Sequence, residues 1–416
     1  MTGYSKLLQI LKSFGNILLK VVRIIAVVGI SSLLIILSLM WLDHNRDTML
    51  PTPTGSFAVG RTTYFWSDAK QPELMAPKLN TKREIFTWIW YPAASQKLSQ
   101  PVEYLPASWR LALERQVGVL LTQLLTRDLS RVQVHSIRNA ELSSQQHSYP
   151  VVFMRAGLAA QTTDYTSLAE DLASHGYIVV GFDAPYRTTV VVLPDRRVIA
   201  RAPQNNADLV DGLEQERLAN KLVQAWTSDM SFALDHLERL NTSDTSGKFL
   251  RRLDLQRIGV FGHSLGGATA LQFCHDDSRC KAGIDVDGAP LGNVVNEGIK
   301  QPFMFLMSDH SREPAAETRP VLANIRSIYD RLPPDDRMQG TIKGANHFMF
   351  SDHGAMLMSP LMMHVFRFLG ILQIDGRRQI ALTSHSVHTF FDVYLKGAPV
   401  SELKNELKDH EIEYIR

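Results

Sequence analysis

Cysteine is scarce, with two in 416 residues. One pair cannot build a disulfide scaffold or a cysteine-based zinc finger. An excess of either charge is also missing, with 44 Lys and Arg against 42 Asp and Glu. That balance argues against a nucleic-acid binder, in which a strongly basic domain is the rule. The HExxH, EF-hand, Walker and dinucleotide fingerprints are absent, so no metal and no cofactor is expected. Internal repeats and low-complexity tracts are lacking too. A composition of 45 % hydrophobic and 21 % charged residues excludes disorder throughout. A chain of this length buries a sizeable core without covalent staples.

The most local absence is of acid at the N-terminus. Residues 1–42 hold Lys6, Lys12, Lys20 and Arg23 but no Asp or Glu, so all the excess positive charge sits there. Residues 24–42 (IIAVVGISSLLIILSLMWL) carry no charge at all. A helix over this run spans just under ~30 Å, about one hydrocarbon core. The run exceeds the apolar region of about 7–15 residues in a cleaved signal peptide, and Met40-Trp41-Leu42-Asp43 is a poor cleavage site. It reads as an uncleaved transmembrane signal-anchor. With the basic flank inside, everything after Asp43 is expected outside the cytoplasm, on the periplasmic or extracellular side. Residues 1–23 alternate lysines with Leu, Ile and Phe at helical spacing. They read either as an amphipathic surface helix or as a continuation of the membrane helix.

Residues 43–80, with Pro51, Pro53, Gly55, Gly60, Pro72 and Pro77, read as a linker holding at most one short strand. The domain is placed at 81–400, with a charged tail over 401–416 that reads as a solvated helix. Residues 84–92 (EIFTWIWYP) have strand composition, and 107–129 carries leucines at helical spacing. Short apolar runs then alternate with helical patterns. Strands are expected at 149–154, 177–182, 257–261, 282–286, 302–307 and 338–342. Helices are expected at 165–174, 213–240, 265–274 and 380–396, with a hairpin over 190–199 turned at Pro194-Asp195. This order means an α/β fold with a mostly parallel sheet covered on both faces.

Between the strand at 257–261 and the helix from 265 lies Gly262-His263-Ser264-Leu265-Gly266-Gly267. G-x-S-x-G in this strand–turn–helix context sets a serine on a sharp turn, its oxygen projecting above the sheet. The following helix N-terminus offers free N–H groups where an oxyanion forms. Ser264 is therefore the candidate nucleophile. Among the later histidines, His347 stands out because it follows a strand in the loop Gly344-Ala345-Asn346-His347, and such loops face the site in parallel sheets. His353 is the reserve. For the orienting acid, Asp287 and Asp309 each end a strand and are equal by position, while Asp285 lies within its strand. The second oxyanion N–H is expected from the loop after residues 149–154, at Leu158, paired with that of Leu265.

The runs GHSLGGATALQ, CKAGIDVD (280–287) and GANHFMFSD, with RAGLAAQTTDYTSLAEDLASHGYIVVGFDAPYR (155–187), resemble the plasma-type platelet-activating-factor acetylhydrolases. The likeness runs over roughly residues 80–370. It implies an α/β-hydrolase fold and a metal-independent serine esterase or lipase. The implied substrates are phospholipids with short or oxidised sn-2 acyl chains. It carries over Ser264 as nucleophile, Asp287 as acid, His347 as base, and Leu158 and Leu265 as backbone oxyanion donors. One departure is plain: the family's histidine before the oxyanion glycine is Ala156 here. The alternatives are a general carboxylesterase or polyester hydrolase with the same triad, or a catalytically silent hydrolase-fold binding module. The expected partners are an ester substrate and, through the N-terminal helix, a membrane.

Two weaker patterns remain. Met349, Met356, Met358, Met362 and Met363 crowd one stretch, either as core or as a flexible acyl pocket. Cys274 and Cys280 flank HDDSR and are placed, outside the cytoplasm, to close a small disulfide rather than remain two free thiols.

Overall fold

The computed structural model describes residues 2–94, 100–406 and 411–415. Ten strands form one sheet: β1 (Ala58–Pro72), β2 (Lys82–Ala93), β3 (Ile137–Arg138), β4 (Tyr149–Arg155), β5 (Ile178–Asp183), β6 (Leu253–His263), β7 (Cys280–Val286), β8 (Phe303–Met307), β9 (Arg337–Ile342) and β10 (Ile412–Ile415). Their order across the sheet is β10-β9-β8-β7-β6-β4-β5-β2-β1-β3. The central block from β9 to β5 is parallel, and β10, β2 and β1 run antiparallel to their inner neighbours.

Apolar runs without alternation belong in strands buried on both faces, and β4 shows the reason. Val151 and Phe153 enter one core, while Val152 and Met154 enter the other. One core is closed by α3 (Thr166–Ser174) and by a C-terminal helix, Gly376–Lys396, through Leu168, Leu172, Phe390 and Phe391. The opposite core is closed by α4 (Gly212–Ser243) and α5 (Leu265–Asp276) through Met230, Leu237, Leu271 and Phe273. Gly259 in β6 makes the first of these closures possible. A Cβ there would stand 2.6 Å from the Phe391 ring.

The expected elements are present with ends shifted by a few residues, including the hairpin of Val190–Val192 and Val198–Ala200. Three expectations are corrected. Residues 43–80 are not a linker: β1 supplies fifteen of them to the sheet. Glu73 is also buried, in a bidentate ion pair with Arg187 at 2.6 and 2.8 Å. Arg187 meets Asp229 as well, at 2.7 Å, and all three side chains are almost wholly buried. Breaking such a cluster costs about 3–5 kcal/mol, so the segment is integral to the domain. Residues 107–129 are not one helix. The chain is helical over α2 (Ala107–Val117), then Gly118 adopts φ 95° and stops it. A π-turn follows at Leu121–Leu125. The tail is not a solvated helix either. Ser401–Glu406 is helical, residues 407–410 lie outside the described residues, and Ile412–Ile415 pairs with β9 and buries Ile412.

At the N-terminus, α1 (Thr2–His44) is one continuous helix, so the lysine-bearing stretch extends the apolar run. It is long and apolar enough to cross a membrane. Its last turn is fastened to the domain: His44 Nδ1 donates to Thr126 O at 2.8 Å, Asp128 N donates to His44 O, and Asp43 meets Arg127 at 3.5 Å. Cys274 and Cys280 are joined by a disulfide that ties the end of α5 to the start of β7. Of the clustered methionines, Met349 and Met356 are core, and Met358, Met362 and Met363 are half-buried.

Candidate active site

β6 ends at His263 and α5 starts at Leu265, so Ser264 alone makes the turn. Its φ of 58° and ψ of −127° are a conformation that costs a non-glycine residue about 1–3 kcal/mol. Close packing holds it there. A Cβ on Gly262 would lie 2.1 Å from Gly266 O, and one on Gly266 would lie 2.3 Å from Arg155 O. Only glycine lets strand, helix and the loop after β4 meet this tightly.

The predicted residues converge. His347 Nε2 is 3.1 Å from Ser264 Oγ, and His347 Nδ1 is 2.7 Å from Asp287 Oδ2. The tautomer that fits donates from Nδ1 to the carboxylate and leaves Nε2 to accept the serine proton. Asp287 is 5 % exposed and also accepts from Ser308 N at 2.8 Å and Ser308 Oγ at 2.7 Å. Burial opposes its charge, but bonds from His310 and His347 more than offset this and hold its carboxyl well below the ordinary range.

The competing acids stand elsewhere. Asp309 accepts from Ser311 N at 3.1 Å and from Gly344 N at 2.8 Å, so it shapes the loop that carries His347 without touching the ring. Asp285 is buried beneath the serine turn, where Oδ1 accepts from Gly288 N at 2.8 Å. Burial raises its carboxyl well above the usual value. His353 does not meet the triad; it lines a cavity with His44, Gln161 and Ala159 that reaches the oxyanion loop.

Leu158 and Leu265 share a small apolar cluster with Met75 and Leu222. Among the described residues, neither backbone N–H has a protein acceptor, which leaves both free for an oxyanion. The loop is held against the serine turn, since a Cβ on Gly157 would lie 3.2 Å from Ser264 Cβ.

Three participants escaped sequence reasoning. Gly157 N donates to Tyr165 Oη at 3.3 Å, and Tyr165 Oη lies 2.7 Å from His263 Nδ1. This chain supports the oxyanion loop where Ala156 offers no side-chain donor. Burial and the nearby His347 push His263 down to about 3, so its ring is neutral. The third is His310, whose Nε2 is 2.8 Å from Asp287 Oδ1. It sits one residue beyond Asp309 in a charged stretch that reads as solvated. Only the partner across the strand ends reveals it.

The chain is 25 % identical over 370 residues to a platelet-activating factor acetylhydrolase from Canis lupus familiaris, covering 84 % of this chain and 78 % of that one. It is 25 % identical over 205 residues to Cutinase 2 of Thermobifida cellulosilytica, covering 49 % and 62 %. A ferulic acid esterase structure from Streptomyces cinnamoneus superposes with a TM-score of 0.70 at 25 % identity, over 89 % of this chain and 100 % of that one. The model of the family described as platelet-activating factor acetylhydrolase, isoform II, matches residues 42–402. With most of its length matched, this chain belongs to that acetylhydrolase family and is a carboxylic ester hydrolase.

Proposed function

We infer that this hydrolase cleaves short or oxidised sn-2 acyl esters of phospholipids by a Ser-His-Asp acyl-enzyme mechanism, tethered to a membrane by α1. The observation that carries the mechanism is the position of His347, in hydrogen-bond reach of both Ser264 and Asp287. Ser264 Oγ attacks the ester carbonyl while His347 Nε2 takes its proton. The N–H groups of Leu158 and Leu265 receive the oxyanion. His347 then protonates the leaving lyso-lipid alcohol, and water repeats the cycle on the acyl-enzyme. Asp287 keeps the tautomer and stabilises the imidazolium.

Two features favour a lipid substrate. A cavity of about 780 Å³ runs from His44, at the end of α1, past Leu111 and Leu113 to Ala159 beside the oxyanion loop. Phe348, next to His347, is 70 % exposed, as suits a site that meets an apolar interface. The topology follows from the basic flank of α1, with the domain outside the cytoplasm. The cutinase likeness supports a second reading, a general carboxylesterase or polyester hydrolase with the same triad.

A fluorophosphonate probe should label the wild-type protein and not Ser264→Ala. Turnover should be compared on p-nitrophenyl esters of increasing chain length and on sn-2 acetyl phospholipid. Preference for the phospholipid supports the first reading. Faster turnover of long simple esters or polyester favours the second.

A further inference from the structure

α3, which follows the oxyanion loop, carries Ser167 and Asp171 four residues apart, and His175 follows four residues later at its end. Residues at this spacing share one helix face. The face is met by the C-terminal helix Gly376–Lys396, which presents Ser384 and His388. His388 Nδ1 is 3.0 Å from Asp171 Oδ2. The rings of His175 and His388 stack at 3.9 Å. The segment after α1 closes the group: Thr54 donates to Asp171 Oδ1 from N at 2.9 Å and from Oγ1 at 2.8 Å, and its Oγ1 is 2.8 Å from His175 Nε2.

We propose that Asp171, His175 and His388 form a structural zinc site that fastens α3 to the C-terminal helix. One ligand atom from each residue lies within 4.8 Å of the other two. Ligands at about 2.0–2.2 Å from a tetrahedral zinc are roughly 3.3–3.5 Å apart. The Asp171–His388 pair is thus already near ligand spacing, and the set is completed when the His175 ring turns out of its stack on His388 and exchanges its bond to Thr54 Oγ1 for the ion. A zinc ion would replace the proton shared by Asp171 and His388. Two imidazole nitrogens and one carboxylate oxygen suit zinc over calcium or magnesium, which take oxygen ligands. The three residues open together into one cavity of about 330 Å³, lined also by the buried Ser167 and by Ser384, where a water supplies the fourth position. None of the three shares a hydrogen bond with Ser264, Asp287 or His347 among the described residues, so the ion would act on stability and not on the chemistry. This separates the proposal from the mechanism above.

The test uses full-length protein stripped with chelator and titrated with zinc chloride. Binding is followed by calorimetry and thermal unfolding, and cobalt serves as a spectroscopic substitute. One equivalent is expected, with a rise in Tm on the order of 5 °C at a hundredfold excess over Kd. Cobalt should give the visible bands of a four-coordinate site. In His175→Gln, at the half-buried rim, affinity should fall at least tenfold and the Tm rise should vanish. His388→Gln should do the same. Stripped and zinc-loaded wild type should hydrolyse p-nitrophenyl acetate at rates within twofold. The proposal is overturned if zinc leaves Tm unchanged, or if both variants bind zinc as tightly as the wild type. It is also overturned if stripping abolishes turnover and zinc restores it.

Discussion

His310 Nε2 stands 2.8 Å from Asp287 Oδ1, on the carboxylate oxygen opposite the one that meets His347. The acid is thus shared by two imidazoles. His310 is flanked by a second carboxylate, with Nδ1 at 2.8 Å from Glu313 Oε1. The bond to Asp287 raises His310 to about 9, against the opposing effect of burial. At neutral pH it is a fixed cation beside the acid.

That cation has a predictable stability signature. A histidine whose folded value is raised stabilises the fold fully below its unfolded value of about 6.5. The contribution is lost as pH rises through about 9. His310→Gln should therefore have a lower Tm than wild type at pH 6, and the gap should close by pH 10. Thermal unfolding of both proteins across that range checks it. A gap that stays constant would mean that His310 is not charged in the fold.

The two rival acids separate by mutation. Asp287→Asn keeps the shape but removes the charge and favours the wrong His347 tautomer, so kcat should fall by ~10³–10⁴. Asp309→Asn keeps an acceptor for the Gly344 and Ser311 amides and should cost less than about tenfold. Steady-state kinetics on a soluble ester gives the ranking, and the reverse order would move the acid to Asp309.

The serine turn should tolerate no Cβ at Gly266, since the added atom would meet the Arg155 and Ala156 carbonyl oxygens at 2.3 and 2.6 Å. Both are backbone atoms with little room to shift. Gly266→Ala should lose about 1–3 kcal/mol of stability and at least a hundredfold in kcat, as expected when an oxyanion donor is displaced. Denaturant unfolding and turnover measured together check it. Unchanged kinetics would contradict the tight packing.

Residues 24–42 should hold the protein in a membrane. Full-length chain is expected in the pellet after carbonate extraction, with a reporter fused after residue 416 active only outside the cytoplasm. A shortened mature protein released into the soluble fraction would mean that α1 is a cleaved signal.

Ser264, Asp287 and His347 are legible as candidates because each depends on local pattern. The first sits in a motif, and the others directly follow or nearly follow apolar runs long enough to be read as strands. The layered α/β order was legible for the same reason, since strands buried on both faces must be continuously apolar. Position alone could not choose between Asp287 and Asp309, because both end strands. The choice appears where the His347 ring meets one carboxylate and the Gly344 amide meets the other.

What the sequence by itself determined is the set of elements with strong internal periodicity, the serine turn and the apolar length of α1. Only the tertiary structure decided the rest. β1 mixes buried and exposed positions between prolines and glycines, and it is a strand because twelve of its residues pair with β2. Ile412–Ile415 is four residues in a charged tail, and it is a strand because the edge of β9 is open to it. His310 and the Tyr165–His263 pair join the site through partners 23 and 98 residues away. Strand pairing and hydrogen bonds between distant segments depend on register and on which edges remain free, and no local window of residues encodes either.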